Sequence, residues 1–307
     1  MQPDKIVVVT RKTRLDGLVE RFATAAQARF YIDHSGGDFA DYQREHDCYQ
    51  AALERLRRAL DLGLKLQLLD RSLVPTYLFG PRDLVVTLGQ DGLVANTAKY
   101  VGELPLIAVN PDPERYDGVL LPFRPETVRA AVERVLGAKA RERRVTLAEA
   151  VTRDGQRLLG FNDLFIGARS HVSARYRMRL ADRSESHSSS GVIVSTGAGC
   201  TGWLSSLFRM AAGLTRFAGG TPGTPLRLDW ETRRLVFVVR EPFVSLHSQA
   251  DLVAGTVEGA GRLELESLMP SGGVVFSDGV ESDFIEFNAG CTVSVGLAER
   301  QARLVAG

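Results

Sequence analysis

The pattern of apolar residues changes character part-way along the chain, and that change limits the possible folds more than any single motif. Up to about residue 124, short apolar runs alternate with helical spacing. Ile6-Val7-Val8-Val9, Leu66-Gln67-Leu68-Leu69, Leu84-Val85-Val86-Thr87-Leu88 and Leu106-Ile107-Ala108-Val109 read as strands. Runs this continuous suit strands buried on both faces. From Asp38 to Asp61, Phe39, Tyr42, Tyr49, Leu53, Leu56 and Leu60 recur at steps of three, four or seven, which marks one face of a helix, and Gly63 is placed to end it. Ala95 to Val101 reads as a further short helix. Strands alternating with helices imply a parallel sheet with right-handed crossovers. Pro125 to Lys139 is helical and charged, and beyond it the segments shorten and alternate in polarity, as in Tyr176-Arg177-Met178-Arg179-Leu180, Leu235–Val239 and Leu263-Glu264-Leu265-Glu266. Thr152–Gly155 and Asp278-Gly279 are hairpin-type turns. Asp182 to Ser190, polar and Ser-rich, reads as a mobile loop. The expected fold is an α/β nucleotide-binding domain followed by a β-rich domain of antiparallel sheets, a β-sandwich.

Bulk properties narrow the function. The 307 residues suit two domains. Lys plus Arg number 38 against 37 Asp plus Glu, a net charge of +1, so nothing global favours nucleic acid or an anionic membrane. Apolar stretches fall short of the ~20 residues of a membrane helix. Cys48, Cys200 and Cys291 are too few and too widely spaced for a disulfide framework or a Cys-type zinc site. Met1-Gln2-Pro3-Asp4-Lys5 leads at once into the first strand without the regions of a secretory signal, so a reduced, cytoplasmic location is expected.

Three segments carry chemistry. Gly89-Gln90-Asp91-Gly92 follows the Leu84–Leu88 strand, and ligands bind at the carboxyl ends of strands in open α/β sheets. Backbone N–H groups there can cradle phosphate oxygens, while Asp91 can hold Mg²⁺ or take a proton from an attacking hydroxyl. The alternative is a tight turn whose Asp caps the next helix. Gly197-Ala198-Gly199-Cys200-Thr201-Gly202 follows the Val192–Val194 strand, opens a helical pattern from Trp203 to Leu214, and formally matches the dinucleotide fingerprint. Three facts oppose a Rossmann unit. The segment sits in the β-rich half, no carboxylate lies about 20 residues on, and Gly219 to Pro225 reads as loop. What remains is Gly and Thr at a helix start, a good anion or ribose site. Finally, Asn162-Asp163 can bind ribose hydroxyls or a base edge, or form an Asx-type turn. The five histidines show no metal-ligand spacing, and no metal-binding residues are assigned.

Taken in order, these segments resemble the NAD kinase family, a branch of the superfamily that includes diacylglycerol kinases and 6-phosphofructokinases. Gly89-Gln90-Asp91-Gly92-Leu93 stands where that family has Gly-Gly-Asp-Gly-Thr, and Phe161-Asn162-Asp163 stands for its Asn-Glu motif. Ser195 to Trp203 stands for Thr-Pro-x-Gly-Ser-Thr-Ala-Tyr, and Phe276-Ser277-Asp278-Gly279 for its late Asp-Gly turn. Val109 to Arg115, Ser189-Ser190-Gly191 and Arg240-Glu241-Pro242 look most like the branch with the animal mitochondrial enzyme. The resemblance implies a nucleotide-binding domain over 1–124, rejoined by about 292–307, and an NAD-binding β-sandwich over 125–291. It implies transfer of the ATP γ-phosphoryl group to the 2′-hydroxyl of the adenosine ribose of NAD, with Mg²⁺, in a homodimer or homotetramer. Asp91 would act on that hydroxyl or position Mg²⁺. Gly89, Gly92, Asn110, Asn162, Asp163, Thr196, Thr201, Gly202, Trp203 and Ser206 would bind the nucleotides, Trp203 offering an aromatic wall where the family has Tyr. The chain departs from the pattern at Gln90 (for Gly), Leu93 (for Thr), Asp163 (for Glu) and Gly202 (for Ala). The alternatives are a non-catalytic member that binds a dinucleotide or ATP, or a kinase acting on another hydroxyl, of a lipid or sugar.

Overall fold

The computed structural model describes residues 3–224 and 226–307; Met1, Gln2 and Pro225 of the segments read above lie outside it. The chain forms two units. One runs to Arg143 and takes back Arg303–Gly307, and the other spans Arg144–Ala302.

In the first unit the order is β1 (Lys5–Thr10), α1 (Arg14–Phe22), α2 (Ala25–His34), α3 (Phe39–Ala59), β2 (Lys65–Asp70), β3 (Asp83–Leu88), α4 (Asp91–Ala98), β4 (Pro105–Val109) and α5 (Val128–Leu136). The strands pair in parallel in the order β2-β1-β3-β4. All six residues of β3 are buried, as its apolar run requires of a central strand covered on both faces. One cover is a core in which Tyr49, Ala52, Leu56 and Leu60 of the α3 segment meet Val128, Ala131 and Val132 of α5. Because α5 packs here, the break between the units lies after Arg143 rather than at 124.

Helices α1 and α2 have no counterpart in the sequence reading. Each buries one or two residues, Leu15 in α1 and Ala28 and Ile32 in α2, so apolar periodicity hardly marks them. Their starts are set by side chains instead. Thr13 and Asp16 form a reciprocal capping box, and Thr24 caps α2.

The second unit holds β5 (Glu142–Thr152), β6 (Arg157–Gly160), β7 (Asp163–Ala168), β8 (Ala174–Leu180), β9 (Arg183–Ser189), β10 (Val192–Ser195), α6 (Trp203–Phe217), β11 (Arg234–Val239), β12 (Ala254–Glu258), β13 (Leu263–Ser267), β14 (Gly273–Ser277), β15 (Val280–Glu286) and most of β16 (Thr292–Val305). One antiparallel layer runs β16-β13-β8-β9 and the other β12-β11-β10-β7-β14-β15. Tyr176, Met178, Leu263 and Val295 of the first layer meet Leu164, Ile166, Val194 and Phe237 of the second in one core. Strand β16 pairs with β13 through Val295. Only Arg303 and Leu304 join β4, in parallel, and Arg303 is held by Glu142 at 2.6 and 2.9 Å. The returning segment is therefore shorter than 292–307.

The Ser-rich stretch 182–190 is a strand, not a mobile loop. It is β9, paired with β8 along its whole length, with Ala181 in the left-handed region at the turn. Two of its inward positions, Glu185 and Ser189, are polar and hydrogen-bonded, while His187 between them stacks on the Tyr176 ring with neither ring nitrogen hydrogen-bonded. Glu185 accepts from the N–H groups of Asp251 and Leu252 at 3.2 and 2.9 Å, and Ser189 Oγ lies 2.8 Å from the Tyr176 hydroxyl. Polar residues on both faces hid the alternation. No helix among the described residues is long and apolar enough to cross a membrane.

Candidate functional site

Each unit contributes one group of residues. In the first, β3 ends at Leu88, whose carbonyl accepts from the buried Tyr49 hydroxyl at 3.1 Å, and that hydroxyl accepts from Arg11 N–H at 3.0 Å. Burial pushes the Tyr49 phenol above its ordinary value, so it stays a neutral donor tying β1 and α3 to the end of β3. Gly89 N–H donates to Val109 O at 3.2 Å. The next residues are no free turn. Gln90 is the N-cap of α4, its carbonyl accepts from Leu93 at 2.9 Å, and Asp91 and Gly92 lie in the first helical turn. The helix thus begins four residues before the expected Ala95. First-turn N–H groups lack partners within a helix, and the helix dipole adds positive potential there. Asp91 is half-buried, and its Oδ1 accepts from Leu120 N–H at 2.7 Å.

The segment that supplies Leu120 is organised by Asn110. Its Nδ2 donates to Tyr116 O at 3.0 Å and its Oδ1 accepts from Asp112 N–H at 3.0 Å. Gly118, at φ +65°, lies so close that a Cβ would meet Asn110 Nδ2 at 2.6 Å. Each end of the Asn110 amide thus makes one bond within its own loop. Arg115 fixes the same segment by a bidentate pair with Asp41 at 3.1 and 2.8 Å. Gln90 is exposed and Gly92 open, whereas Leu93 is buried against Gly89, where a Cβ would meet Leu93 Cδ2 at 2.6 Å. The position that is Thr in the resemblance is therefore packed as core in this chain.

In the second unit the residue that assembles the site is Asp278. It sits at φ +52° in the turn between β14 and β15, followed by Gly279 at +70°. Its carboxylate accepts from the N–H groups of Phe161, Asn162 and Asp163 at 3.0, 2.6 and 3.3 Å. Thr196 closes the other side, with Oγ1 donating to Phe161 O at 2.6 Å and N–H to Asn162 O at 2.9 Å. Sequence reading placed Asp278 in a turn and missed this role, because the partners lie over a hundred residues away. The fingerprint-like glycines explain themselves here: a Cβ on Gly199 would stand 2.2 Å from Asn162 O, and one on Gly197 2.0 Å from Asp229 O. They permit backbone contact. The Gly199→Ala variant is expected to lose about 3 kcal/mol of stability. Urea unfolding reads this as a lower midpoint with an unchanged m-value.

The structure thus brings Asn162, Asp163 and Thr196 together, with Asp163 and Thr196 buried and Asn162 half-buried. Thr201, Gly202 and Ser206 are exposed at the start of α6, and Trp203 is half-buried. Trp203 stacks on Phe165 (centroids 5.8 Å, planes 10° apart), and Phe165 meets Phe276 at 4.8 Å. These three rings line a cavity of about 530 Å³ on the outer face of the second layer, with Arg169, Arg240 and Glu241 also at its walls. Apart from Trp203, none of these residues was singled out as a binding residue. The signal was present as Phe165 and Phe276 on the strand face turned away from the main core.

No protein-family model and no curated protein sequence matches the chain. Solved structures do. The yeast NADH kinase complexed with NADH superposes with a TM-score of 0.61 at 15% identity, over 100% of this chain and 84% of that one. The NAD kinase from Archaeoglobus fulgidus in complex with ATP gives 0.56 at 17% identity, over 98% and 93%. The chain has the NAD kinase fold. At these identities the likeness concerns the fold, and the NAD kinase fold here is the α/β unit with β2-β1-β3-β4 together with the two antiparallel layers.

Proposed function

We propose that the chain is an NAD kinase, transferring the γ-phosphoryl group of ATP to the 2′-hydroxyl of the adenosine ribose of NAD to make NADP. The observation that carries this reading is the placing of Asp91: a half-buried carboxylate in the first turn of α4, at the carboxyl end of the central strand β3, with one oxygen held by Leu120 N–H at 2.7 Å. Phosphoryl transfer needs positioning and charge stabilisation more than covalent chemistry. Asp91 acts on the attacking hydroxyl or positions Mg²⁺. Gly89, Gly92 and the first-turn N–H groups of α4 receive phosphate oxygens. Asn162 and Asp163 hold the ribose and base, in the frame that Asp278 and Thr196 make for them. Thr196, Thr201, Gly202, Trp203 and Ser206 line the NAD pocket. The two structural neighbours, one complexed with NADH and one with ATP, carry between them the ligand classes of this reaction.

The residues fit a magnesium ion. Mg²⁺ is commonly held by one or two carboxylates together with waters and substrate phosphates. Asp91 offers one carboxylate, with Oδ1 already oriented by Leu120. When bound, the ion would neutralise charge on the phosphates. The proposal extends to a homodimer or homotetramer in the cytoplasm, of the branch with the animal mitochondrial enzyme.

The test is NADP formation from NAD, ATP and Mg²⁺ by the purified chain. A second reading is favoured by Gln90 and by the buried Leu93: a member that binds dinucleotide or ATP without turnover. In that case NAD or ATP raises the melting temperature, while no NADP forms under any phosphoryl donor.

A further inference from the structure

The geometry points to the cavity at Trp203 as a selector of ring charge: it accepts the nicotinamide end of the dinucleotide in its neutral, reduced form and disfavours the cationic pyridinium, with Arg240 as the specificity-determining residue. This rests on the kinase reading above. The cavity lies entirely in the second unit, along β7. Asp163 and Phe165 are two residues apart on that strand, so they share a face about 7 Å apart. From Phe165 the cavity extends past Ala168 to Val172, away from Asp163. At about 3.3 Å per residue, β7 spans about 17 Å from Asp163 to Ala168. With the adenosine ribose at Asn162 and Asp163, the far end of an extended dinucleotide lies in the cavity.

One aromatic wall of the cavity already carries a cation of the protein. The Arg240 guanidinium stands over the Trp203 ring at 5.3 Å from its centroid, while the Arg169 guanidinium stands over Phe284, a ring outside the lining, at 4.0 Å. Both arginines line the cavity. An aromatic face attracts one cation through its quadrupole, and a second cation brought to the same site meets like charge. A pyridinium ring therefore competes with Arg240 for Trp203 and is repelled by it. A dihydronicotinamide ring has no charge and stacks on either the indole or the guanidinium plane.

Carboxylates are present too. Glu241 and Glu281 line the cavity, together with the His171 imidazole. The Glu241 carboxylate accepts a hydrogen bond from Ser190 Oγ and sits on a residue held at φ +47°, a backbone conformation uncommon outside glycine. Both acids are exposed, whereas Arg240 is half-buried with its guanidinium against Trp203, the ring a ligand would stack on. Arg240 is fixed there by its backbone: its N–H donates to Gly191 O at 2.8 Å and its carbonyl accepts from Ser190 N–H at 2.9 Å. Gly167 and Gly191 keep the floor flat, since a Cβ on either would meet the Phe165 ring at 2.7 Å.

The experiment titrates the full chain with NADH and with NAD by calorimetry, and compares kcat/KM for the two as phosphoryl acceptors. The wild type is expected to bind NADH about tenfold or more tightly than NAD. Arg240→Gln should bring the ratio toward one, chiefly by strengthening NAD, and Arg240→Lys should keep most of it. Arg169→Gln, a change at an exposed residue, should reduce the ratio less, and it serves in place of Arg240→Gln should that variant fail to fold. Equal binding of the two by wild type, or a ratio that neither substitution moves, overturns the proposal. If NADH is preferred and the ratio collapses in Arg240→Gln but neither dinucleotide is phosphorylated, the kinase reading fails and the cavity's selectivity stands. If neither dinucleotide binds, both fall.

Discussion

Asp91→Asn is expected to lower kcat for NADP formation by about 10³-fold or more, with the dissociation constant for NAD within about threefold of wild type. The loss follows from the role of the group. An amide cannot take a proton from the 2′-hydroxyl and is a poor ligand for Mg²⁺, and positioned proton transfer alone is typically worth about 10²–10⁴-fold. The fold should be unaffected. The contact that Asp91 makes within the protein is accepted by Oδ1 from Leu120 N–H at 2.7 Å, and the Asn oxygen can accept the same bond. Melting temperatures of the two proteins within about 1 °C of each other would confirm this, a shift corresponding to under about 1 kcal/mol at this size. A kcat less than tenfold below wild type would remove Asp91 from the chemistry and leave α4 as an ordinary packed helix.

The second large effect concerns a residue that touches no expected ligand. Asp278→Ala removes the common acceptor of three N–H groups, at 3.0, 2.6 and 3.3 Å, from Phe161, Asn162 and Asp163. Bonds to a carboxylate contribute about 1.5–3 kcal/mol each, and donors left buried without a partner add to the loss, so about 3–5 kcal/mol is expected after partial relaxation. The consequence extends to binding. The same three residues face Thr196, which bonds Phe161 O at 2.6 Å and Asn162 O at 2.9 Å, so a loosened 161–163 turn no longer aims Asn162 and Asp163. NAD affinity should fall about tenfold, the range of one lost well-oriented polar contact. Asp278→Asn keeps one acceptor oxygen and tolerates φ +52°, and should recover roughly half of the lost stability. Urea denaturation and calorimetric titration read the two effects separately. A loss below about 1 kcal/mol in the alanine variant would show that the turn holds itself together without this carboxylate.

Much of the architecture was legible in the order of residues because it depends on neighbours close along the chain. The run Leu84–Leu88 identifies a strand buried on both faces, and β3 is one. The spacing through Tyr49, Leu56 and Leu60 identifies a helix with one apolar face, and α3 supplies it, although Glu45 sits buried on that face beside Arg11 at 2.9 Å. What escaped was structure whose signal is polar. Helices α1 and α2 are started by Thr13 and Thr24 rather than held by a broad buried face, and β9 hides its alternation among serines.

Of the candidate site, the residue types and their order along the chain belong to the sequence: a Gly-x-Asp-Gly after a strand, an Asn-Asp pair, and a Gly-rich turn before Trp203. Which of those residues hold one another, and which are left to face a ligand, was decided only by folding. Asn110 organises its own loop through a bond at each end of its amide, and Asp278 looked like a turn residue until three N–H groups from far along the chain converged on it. The physical reason is the same in both cases. A polar group contributes according to its partner, and partners brought in by sheet pairing between distant segments leave no mark in local spacing.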